Sequence, residues 1–358
     1  MSSPTEALAG RFGAVVRAAR AWRDPAYPPR AEAVARTLEA PNRFTEEALA
    51  FAINQQMNLL RPRALQAWVD GRQASAPCTV GVLNAGNLPL VGLQDLLAVL
   101  LTGHRYYGAV SSKSPFLLPA FVEEVRRHDA ALPARFAEVE GVFEEADAVI
   151  ATGSDETRGW AEAACERHGI PPARRLLRGH RYAVAVIDGH ETEDELEGLA
   201  EDVLLHEGLG CRNVALVFAP DGLAPDALLE ALAHFRAVFP PHPETPGSLA
   251  MQKAFLAAVE QPHAHGDGLE FLVSKGVAEV QPPGHLRWTG YTDLEEVRAW
   301  LEARAEQLQL VVAREAVGRR LAAPVATVPP GDAQRPPLDW RPDGIDPVDF
   351  LAGLEGCR

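Results

Sequence analysis

Residues 79–101, TVGVLNAGNLPLVGLQDLLAVLL, decide the fold of this chain. The first five have the length and composition of a buried strand, and an apolar helix is predicted from about residue 90 to residue 101. A loop that contains a glycine, residues 84–87, joins the two. A strand that leads through such a loop into a helix is typical of doubly wound α/β folds, which bind ligands at the carboxyl ends of their strands. The loop is not GxGxxG, so it does not by itself identify a dinucleotide site.

Strand-like and helix-like segments alternate along the rest of the chain. Buried strands are predicted at 147–151, 181–187 and 214–218, and helices at 223–237 and 248–259. This alternation predicts an α/β protein with a mostly parallel sheet, preceded by a helical front end. Short strand candidates then follow at 270–274, 277–281, 286–289 and 309–313. Together they predict a smaller second α/β lobe.

Composition and charge exclude several classes of protein. The chain has 358 residues, 47% of them hydrophobic, which is enough for two domains or one large α/β domain. Its net charge of −15 argues against a dedicated nucleic-acid binder, because such a protein needs a basic surface to replace phosphate counterions. The first residues, MSSPTEALAGRFG, are not typical of a signal peptide. No apolar stretch is long enough to cross a bilayer, so no membrane span is expected.

The four cysteines are scattered along the chain, at Cys78, Cys165, Cys211 and Cys357. They form neither a CxxC pair nor the spacing of a disulfide framework. We therefore expect a cytoplasmic protein with reduced thiols.

Cys211 is the cysteine that the local pattern singles out. It lies in LHEGLGCRNVALVFAP (205–220), between a predicted helix and a buried strand, one residue after Gly210. Glycines allow a tight corner there, and a thiol held at such a corner has the fixed environment that a nucleophile requires. The alternative is a buried structural cysteine. Because the helix directs its C-terminus toward the thiol, a cation such as Arg212 is needed to lower its pKa.

Three further candidates carry weaker signals. Thr152-Gly153-Ser154 is a turn at a helix N-terminus, which can bind an anion or can simply cap the helix. His263 and His265, with Asp267, have the alternation of a metal site but no third-ligand pattern nearby, so no metal is predicted. His206 is either a neighbour of the thiol or a helix-end residue favoured by the helix dipole. The absence of GxSxG and HExxH lowers the case for a serine hydrolase or a zincin.

These segments, in this order, resemble the aldehyde dehydrogenase superfamily and most closely its acyl-CoA reductase branch, the kind known from bacterial luminescence systems. GVLNAGNLPL (81–90) is similar to the family's strand that ends in an Asn-x-Pro turn. TGS (152–154) is similar to the turn by which the family's Rossmann-like domain holds its cofactor, and GLGCR (208–212) to the loop around its nucleophilic cysteine. The closing segment at 333–354 is also similar, and the resemblance covers roughly residues 78–358.

The resemblance implies roles for particular residues. Cys211 would be the nucleophile, and the side-chain amide of Asn87 would bind the oxyanion. NADPH is the implied cofactor, with NADH left open. The residues implied to bind it are Asn84, Ala85, Lys113, Thr152, Gly153 and Ser154.

The chain departs from the family pattern at two places. Ala109 stands where the family usually has a lysine near the adenine ribose, and Lys113 follows four residues later. Hydrolytic members carry a Glu-Leu-Gly-Gly stretch whose glutamate activates water, whereas this chain has LLRGHRYAV, at 176–184. A thioester on Cys211 that water cannot readily attack is suited to exchange with a thiol or to reduction by hydride.

The expected function is therefore NAD(P)H-dependent reduction of an acyl-CoA, with a fatty acyl group favoured, to the aldehyde through a thioester on Cys211. Another acyl thioester is an alternative substrate, and a homo-oligomer or an acyl-activating partner enzyme is left open. Two other functions compete: a superfamily oxidoreductase that acts on an aldehyde or an acyl phosphate, and a non-catalytic dinucleotide-binding or scaffolding subunit.

The expected domain organisation has four parts. A helical segment spans 1–75, a Rossmann-like cofactor-binding domain 76–208 and a smaller α/β catalytic domain 209–330. An extended C-terminal segment, 331–358, is predicted to pack on the body.

Overall fold

The structure, a computed structural model, describes residues 4–74 and 76–357, with side chains from Leu8 onward. Residues 1–3 and Ser75 of the predicted helical segment, and Arg358 at the end of the predicted C-terminal segment, lie outside the described residues. The chain divides into two compact units. The first contains residues 1–42, 49–180 and 337–358, and the second contains residues 43–48 and 181–336.

The first unit is built on a parallel sheet with helices around it. Its strands are β1 (Thr79–Leu83), β2 (Arg105–Ala109), β3 (Ala134–Phe136), β4 (Ala148–Thr152) and β5 (Arg175–Arg178). Its helices are α1 (Pro4–Ala21), α2 (Pro28–Leu38), most of α3 (Glu46–Leu59), α4 (Pro62–Val69), α5 (Leu93–Leu101), α6 (Leu117–Arg126), α7 (Val139–Glu145), α8 (Asp155–Arg167) and, near the chain end, α14 (Pro347–Ala352).

The second unit holds a larger sheet. Its strands are β6 (Tyr182–Val186), β7 (Val214–Pro220), β8 (His263–His265), β9 (Leu272–Lys275), β10 (His285–Tyr291), β11 (Leu308–Val312) and β12 (Thr327–Val328). Its helices are α9 (Glu193–Leu204), α10 (Asp226–Val238), α11 (Thr245–Ala258), α12 (Leu294–Glu302) and α13 (Glu315–Leu321).

The sheet of the first unit has the order β3-β2-β1-β4-β5, and all its pairs are parallel. Every residue of β1 is buried, as the unbroken apolar run predicted. Helix α7 lies so close to β1 that a side chain at Gly81 would come within 2.8 Å of a Val142 methyl group. Because β1 has β2 on one side and β4 on the other, the loops after β1 and β4 diverge and leave a crevice at the carboxyl edge of the sheet.

The sheet of the second unit has the order β12-β11-β6-β7-β10-β9-β8. Its pairs are parallel except for β8 with β9. Apolar cores cover both faces of this sheet, one around Ala185, Leu204 and Trp288, the other around Val184, Phe218 and Leu301. The predicted α/β class with mostly parallel pairing is confirmed.

The units divide at other residues than the sequence suggested. The predicted boundary lies at 208/209, whereas the compact units divide at 180/181 and at 336/337. The reason is strand pairing, because β6 is hydrogen-bonded to β7 and β11 of the second sheet, which brings α9 with it. A buried apolar strand such as Tyr182–Val186 carries no mark in its sequence of the sheet that it joins.

The strand predicted at 277–281 is wrong. These residues form an irregular segment between β9 and β10. Gly276 precedes it, and Pro282 and Pro283, which cannot donate to a strand ladder, follow it. The short strands β3, β5, β8 and β12 were not predicted, because two to four residues give too little periodicity.

The C-terminal segment closes the first unit. Gln94 on α5 donates to the carbonyl oxygens of Leu338 and Trp340, and the ring of His104 contacts the carbonyl oxygen of Leu351 at 3.0 Å. Cys357 forms a disulfide with Cys78, so the expectation of four reduced thiols is wrong for this pair. The two residues are 279 positions apart, a separation from which no pairing can be predicted.

Candidate active site

Cys211 lies on the loop between α9 and β7 in the second unit. Helix α9 begins with a capping box, in which Thr192 and Glu195 bind each other's backbone N–H groups, and its apolar face packs into the core. Cys211 is half-buried, forms no disulfide and belongs to neither apolar core of this unit. Cys211 is therefore partly accessible to solvent, which a nucleophile requires.

The loop before Cys211 has an unusual backbone. His206, Glu207 and Gly208 all have positive φ angles, of 56°, 58° and 71°. Only glycine adopts this region without cost, so the surroundings must hold the first two residues in place. Glycine is required at 208 also because an added Cβ would lie 3.0 Å from the backbone nitrogen of Gly284.

Glu207 is one of the groups that hold the loop. Its carboxylate is 4% exposed and accepts a hydrogen bond from Nη1 of Arg236 at 2.8 Å. The hydroxyl of Thr245, the first residue of α11, donates to the other carboxylate oxygen. Arg236 is itself buried, so removal of the carboxylate would leave its positive charge uncompensated. Sequence reasoning missed this role, because nothing in the stretch LHEGLG (205–210) indicates the distant partners Arg236 and Thr245.

Arg212 supplies a positive charge beside Cys211. It is buried, and its guanidinium donates to the carbonyl oxygens of Ala333 and Asp332. Burial lowers the pKa of Arg212 to about 10, with the Cys211 thiol among the groups that raise it again. Arg212 therefore stays charged at neutral pH and favours the thiolate form of Cys211.

Asp202 fixes the segment to which Arg212 binds. Its fully buried carboxylate accepts backbone N–H groups of Gly331 at 2.7 Å and Gln334 at 3.2 Å. Burial raises the pKa of Asp202 to about 7, and these hydrogen bonds oppose the rise. The carbonyl groups of Asp332 and Ala333, which receive the Arg212 guanidinium, are thereby held in place.

His206 does not stabilise the helix end as a charged residue. Burial lowers the pKa of this histidine to about 4, so the imidazole is neutral at neutral pH. A neutral ring gains little from the helix dipole. The interpretation of His206 as a helix-end residue favoured by the dipole therefore loses its physical reason. Its Nδ1 is buried and has no hydrogen-bond partner among the described residues.

The first unit brings several predicted cofactor residues to one edge of its sheet. The 84–87 loop packs against residues 111–113, since a Cβ on Gly86 would lie 2.2 Å from Oγ of Ser111 and 3.1 Å from Cβ of Lys113. Asn84, Ala85 and Lys113 therefore come together at the carboxyl ends of β1 and β2. Lys113 is exposed.

Asn84 is committed to internal hydrogen bonds. Its Nδ2 donates to the hydroxyl of Tyr106 at 2.8 Å and to the carbonyl oxygen of Ala109 at 2.9 Å. Its Oδ1 is buried and has no partner among the described residues. The side chain thus fixes the loop, and only its oxygen is left for a ligand. Asn87, on the same loop, is half-buried.

The turn at Thr152-Gly153-Ser154 caps α8. Oγ of Ser154 accepts the backbone N–H of Thr157 at 3.2 Å, so the capping interpretation is confirmed. The N–H of Gly153 donates to the carbonyl oxygen of Arg178 at 3.2 Å, which ties the turn to the end of β5. Binding of a cofactor by this turn stays a prediction.

A buried ion pair stands next to this turn. Nη1 of Arg178 contacts both carboxylate oxygens of Asp95, at 3.0 and 2.7 Å, and Oγ1 of Thr152 at 3.4 Å. Nε and Nη2 of Arg178 are buried without an acceptor among the described residues. Sequence reasoning missed the pair, although each member is a charged residue inside an apolar segment.

The histidines considered for a metal lie on β8 in the second unit. Nδ1 of His263 contacts the carbonyl oxygen of Gln261 at 2.8 Å, and Nδ1 of His265 contacts that of Gly266 at 2.7 Å. In the described part of the chain, no three His, Cys, Asp or Glu side chains are grouped so that they could hold a metal ion.

Across the same residues, no helix is long and apolar enough to span a membrane.

The chain has the fold of the aldehyde dehydrogenase-like oxidoreductases, as comparison with solved structures shows. An oxidoreductase from Marinobacter aquaeolei superposes with a TM-score of 0.73 at 13% identity, over 99% of this chain and 85% of that one. A putative aldehyde dehydrogenase from Burkholderia cenocepacia gives a TM-score of 0.71 at 13% identity, over 98% and 85%. Succinic semialdehyde dehydrogenase from Streptococcus pyogenes, in complex with NADP+, gives 0.68 at 13% identity, over 96% and 88%.

The sequence adds a more particular likeness. The family model of acyl-CoA reductase (LuxC) matches residues 72–240, which include β1, the 152–154 turn and Cys211. The resemblance to acyl-CoA reductases is thereby confirmed over residues 72–240, and the likeness to aldehyde dehydrogenases is one of fold. No curated protein matches the chain in sequence.

Proposed function

We propose that this protein reduces an acyl-CoA, with a fatty acyl group favoured, to the aldehyde through a thioester on Cys211, with NADPH as the reductant. The observation that carries the proposal is the setting of Cys211, a half-buried thiol outside any disulfide, beside a buried, charged arginine on an anchored loop. The match of the acyl-CoA reductase family model to residues 72–240 supports the choice of substrate.

The chain's residues support the first half of the reaction. The Cys211 thiolate attacks the carbonyl carbon of the thioester, the bond from that carbon to the CoA sulfur breaks, and CoA leaves and takes up a proton. We assign stabilisation of the developing oxyanion to the backbone N–H of Cys211. Each donor of this kind contributes roughly 3 kcal/mol in comparable sites.

The acyl group on Cys211 is then reduced. When it is bound, the reduced nicotinamide supplies a hydride to the acyl carbon. The sulfur of Cys211 is released as the thiolate when the aldehyde leaves. Acyl-CoA, NADPH and one proton thus give aldehyde, CoA and NADP+. Strand β5, Arg175–Arg178, carries no carboxylate that could activate water against the thioester, which favours reduction over hydrolysis.

The carboxyl edge of the first sheet fits a dinucleotide. Three buried polar atoms have no hydrogen-bond partner among the described residues: Oδ1 of Asn84, and Nε and Nη2 of Arg178. Such orphaned groups are costly unless a ligand or water satisfies them. We assign cofactor binding to the predicted set: Asn84, Ala85, Lys113, Thr152, Gly153 and Ser154. A neighbour of the same fold is an NADP+ complex, which supports a nicotinamide dinucleotide.

The test is intact-protein mass spectrometry after incubation with palmitoyl-CoA and no reductant. We expect the mass of one palmitoyl group on the wild type, located by peptide mapping to Cys211 and removed when NADPH is added. An unmodified wild-type protein that still binds NADPH would instead favour the scaffolding alternative. A panel with the free aldehyde plus NADP+ and with an acyl phosphate plus NADPH separates the related oxidoreductases, since a faster reaction with either would contradict the proposed substrate.

A further inference from the structure

Asn213, two residues after Cys211, binds the loop from inside. It is 2% exposed and immediately precedes β7. Its Nδ2 donates to three carbonyl oxygens, those of Asp202 (3.1 Å), Val203 (3.2 Å) and Leu205 (2.8 Å). Its Oδ1 accepts the backbone N–H of Gly210 at 2.8 Å. One side chain thus makes hydrogen bonds on both sides of the turn that carries Cys211.

The three carbonyl groups belong to the end of α9. The last carbonyl groups of a helix have no partner within the helix, and together they carry its partial negative charge. In most helices water or a glycine-based turn satisfies them, but this helix end is buried. Leu205 adopts a non-helical conformation, and left-handed residues follow it, so the backbone turns away and leaves the carbonyl groups to Asn213.

We propose that Asn213 is a positioning residue for Cys211, which closes the C-terminal end of α9 and fixes the backbone from which the nucleophilic sulfur projects. The role of Cys211 as a nucleophile rests on the proposed function. The hydrogen bond to Gly210 holds the residue directly before the cysteine. The bonds to the helix end place N–H groups between the negative helix terminus and the loop.

This arrangement has an electrostatic consequence. A helix C-terminus disfavours a thiolate close to it, and Asn213 reduces that effect by donating to the carbonyl groups. Arg212 acts in the same direction from the other side. Among the described residues, the other charged or titratable groups around the loop and the elements packed against it are Glu201, Asp202, His206, Glu207, Arg236, Glu270, His285, Asp332 and Arg335. A substitution at 213 replaces none of these side chains.

The experiment measures the rate of alkylation of Cys211 by iodoacetamide as a function of pH, with the modified peptide quantified by mass spectrometry. Asn213→Asp keeps an acceptor for Gly210 but loses the donors and adds a negative charge. We expect the pH of half-maximal rate to rise by about one unit, and the rate at pH 7 to fall roughly ten-fold. Asn213→Ser retains a single donor and should give a smaller rise.

Asn54→Asp, exposed on α3, is the matched control, since it adds the same charge in the other unit and should not move the midpoint. Thermal unfolding identifies variants that do not fold. If Asn213→Asp does not fold, the midpoint of Asn213→Ser alone tests the proposal. A residue with only a structural role would lower the melting temperature without moving the midpoint. Unchanged midpoints in the folded Asn213 variants would overturn the proposal. Because alkylation needs neither CoA nor cofactor, a failure of acyl-enzyme formation would count against the proposed function alone.

Discussion

The two cysteines outside the disulfide, Cys165 and Cys211, occupy opposite kinds of environment. Cys165 lies on α8 and is fully buried in an apolar cluster with Val149, Ala161 and Ile170. Burial raises the pKa of its thiol, above all by desolvation. Cys211 is half-buried on a loop, and a charged arginine follows it directly. The comparison teaches that reactivity comes from the backbone and the charges around a thiol, because both residues have the same chemistry in isolation.

Removal of each thiol in turn tests the comparison most directly. We expect Cys211→Ala to lower NADPH oxidation with acyl-CoA by at least about a thousand-fold, since the covalent step is lost. Cys165→Ala should leave the rate within about two-fold. Steady-state kinetics of the two purified variants measure both effects. An equal loss of activity in both variants would contradict the claim that the environment of Cys211 makes it the reactive thiol.

The ion pairs near the two cysteines also differ in burial, and removal of one carboxylate from each tests their contributions to stability. Glu207→Ala leaves Arg236 buried without its counter-ion, so we expect a loss of about 3–5 kcal/mol in the free energy of unfolding. Glu166→Ala near Cys165 removes an exposed carboxylate, 3.9 Å from Arg175, and should cost less than about 1 kcal/mol. Urea denaturation of both variants gives the comparison, and similar losses would contradict it.

A pH dependence should follow from Asp202, below the Cys211 loop. The folded-state pKa of about 7 is above the ordinary value of 3.8, so the folded protein binds the proton more tightly than the unfolded chain. Stability from this group is therefore full below about pH 4 and falls as the pH rises to about 7, by roughly 2–4 kcal/mol. Asp202→Asn should lack this part of the slope. Urea denaturation of both proteins between pH 4 and pH 8 measures it, and parallel curves would refute the assignment.

A small effect is expected from Cys165→Ala on stability. The substitution removes one buried sulfur from an apolar cluster and leaves a small cavity, with an expected cost of about 1 kcal/mol. Thermal unfolding detects this as a modest decrease in melting temperature. A loss of more than about 3 kcal/mol would mean that Cys165 has a partner beyond its apolar neighbours.

Sequence reasoning reached the fold class because β1 and α5 are apolar in the patterns that buried elements require. It also reached the capping role of Ser154, a local interaction within one turn. It did not reach the ion pair of Asp95 with Arg178, or that of Glu207 with Arg236, since these partners are distant in sequence and meet only through packing. Asn213 was equally hidden, because a polar residue between a glycine-containing loop and a strand is ordinary in any turn.

The division of the chain carries a consequence for its biosynthesis. The first unit needs residues 337–358, but all of residues 181–336 are translated before them. The ribosome therefore releases the second unit's full sequence while the first still lacks its final helix, α14, and the cysteine that bonds to Cys78. The strands of the first sheet, residues 79–178, can therefore pair early, whereas the contacts of α14 and the Cys78–Cys357 disulfide form only after residues 181–336 have been synthesised.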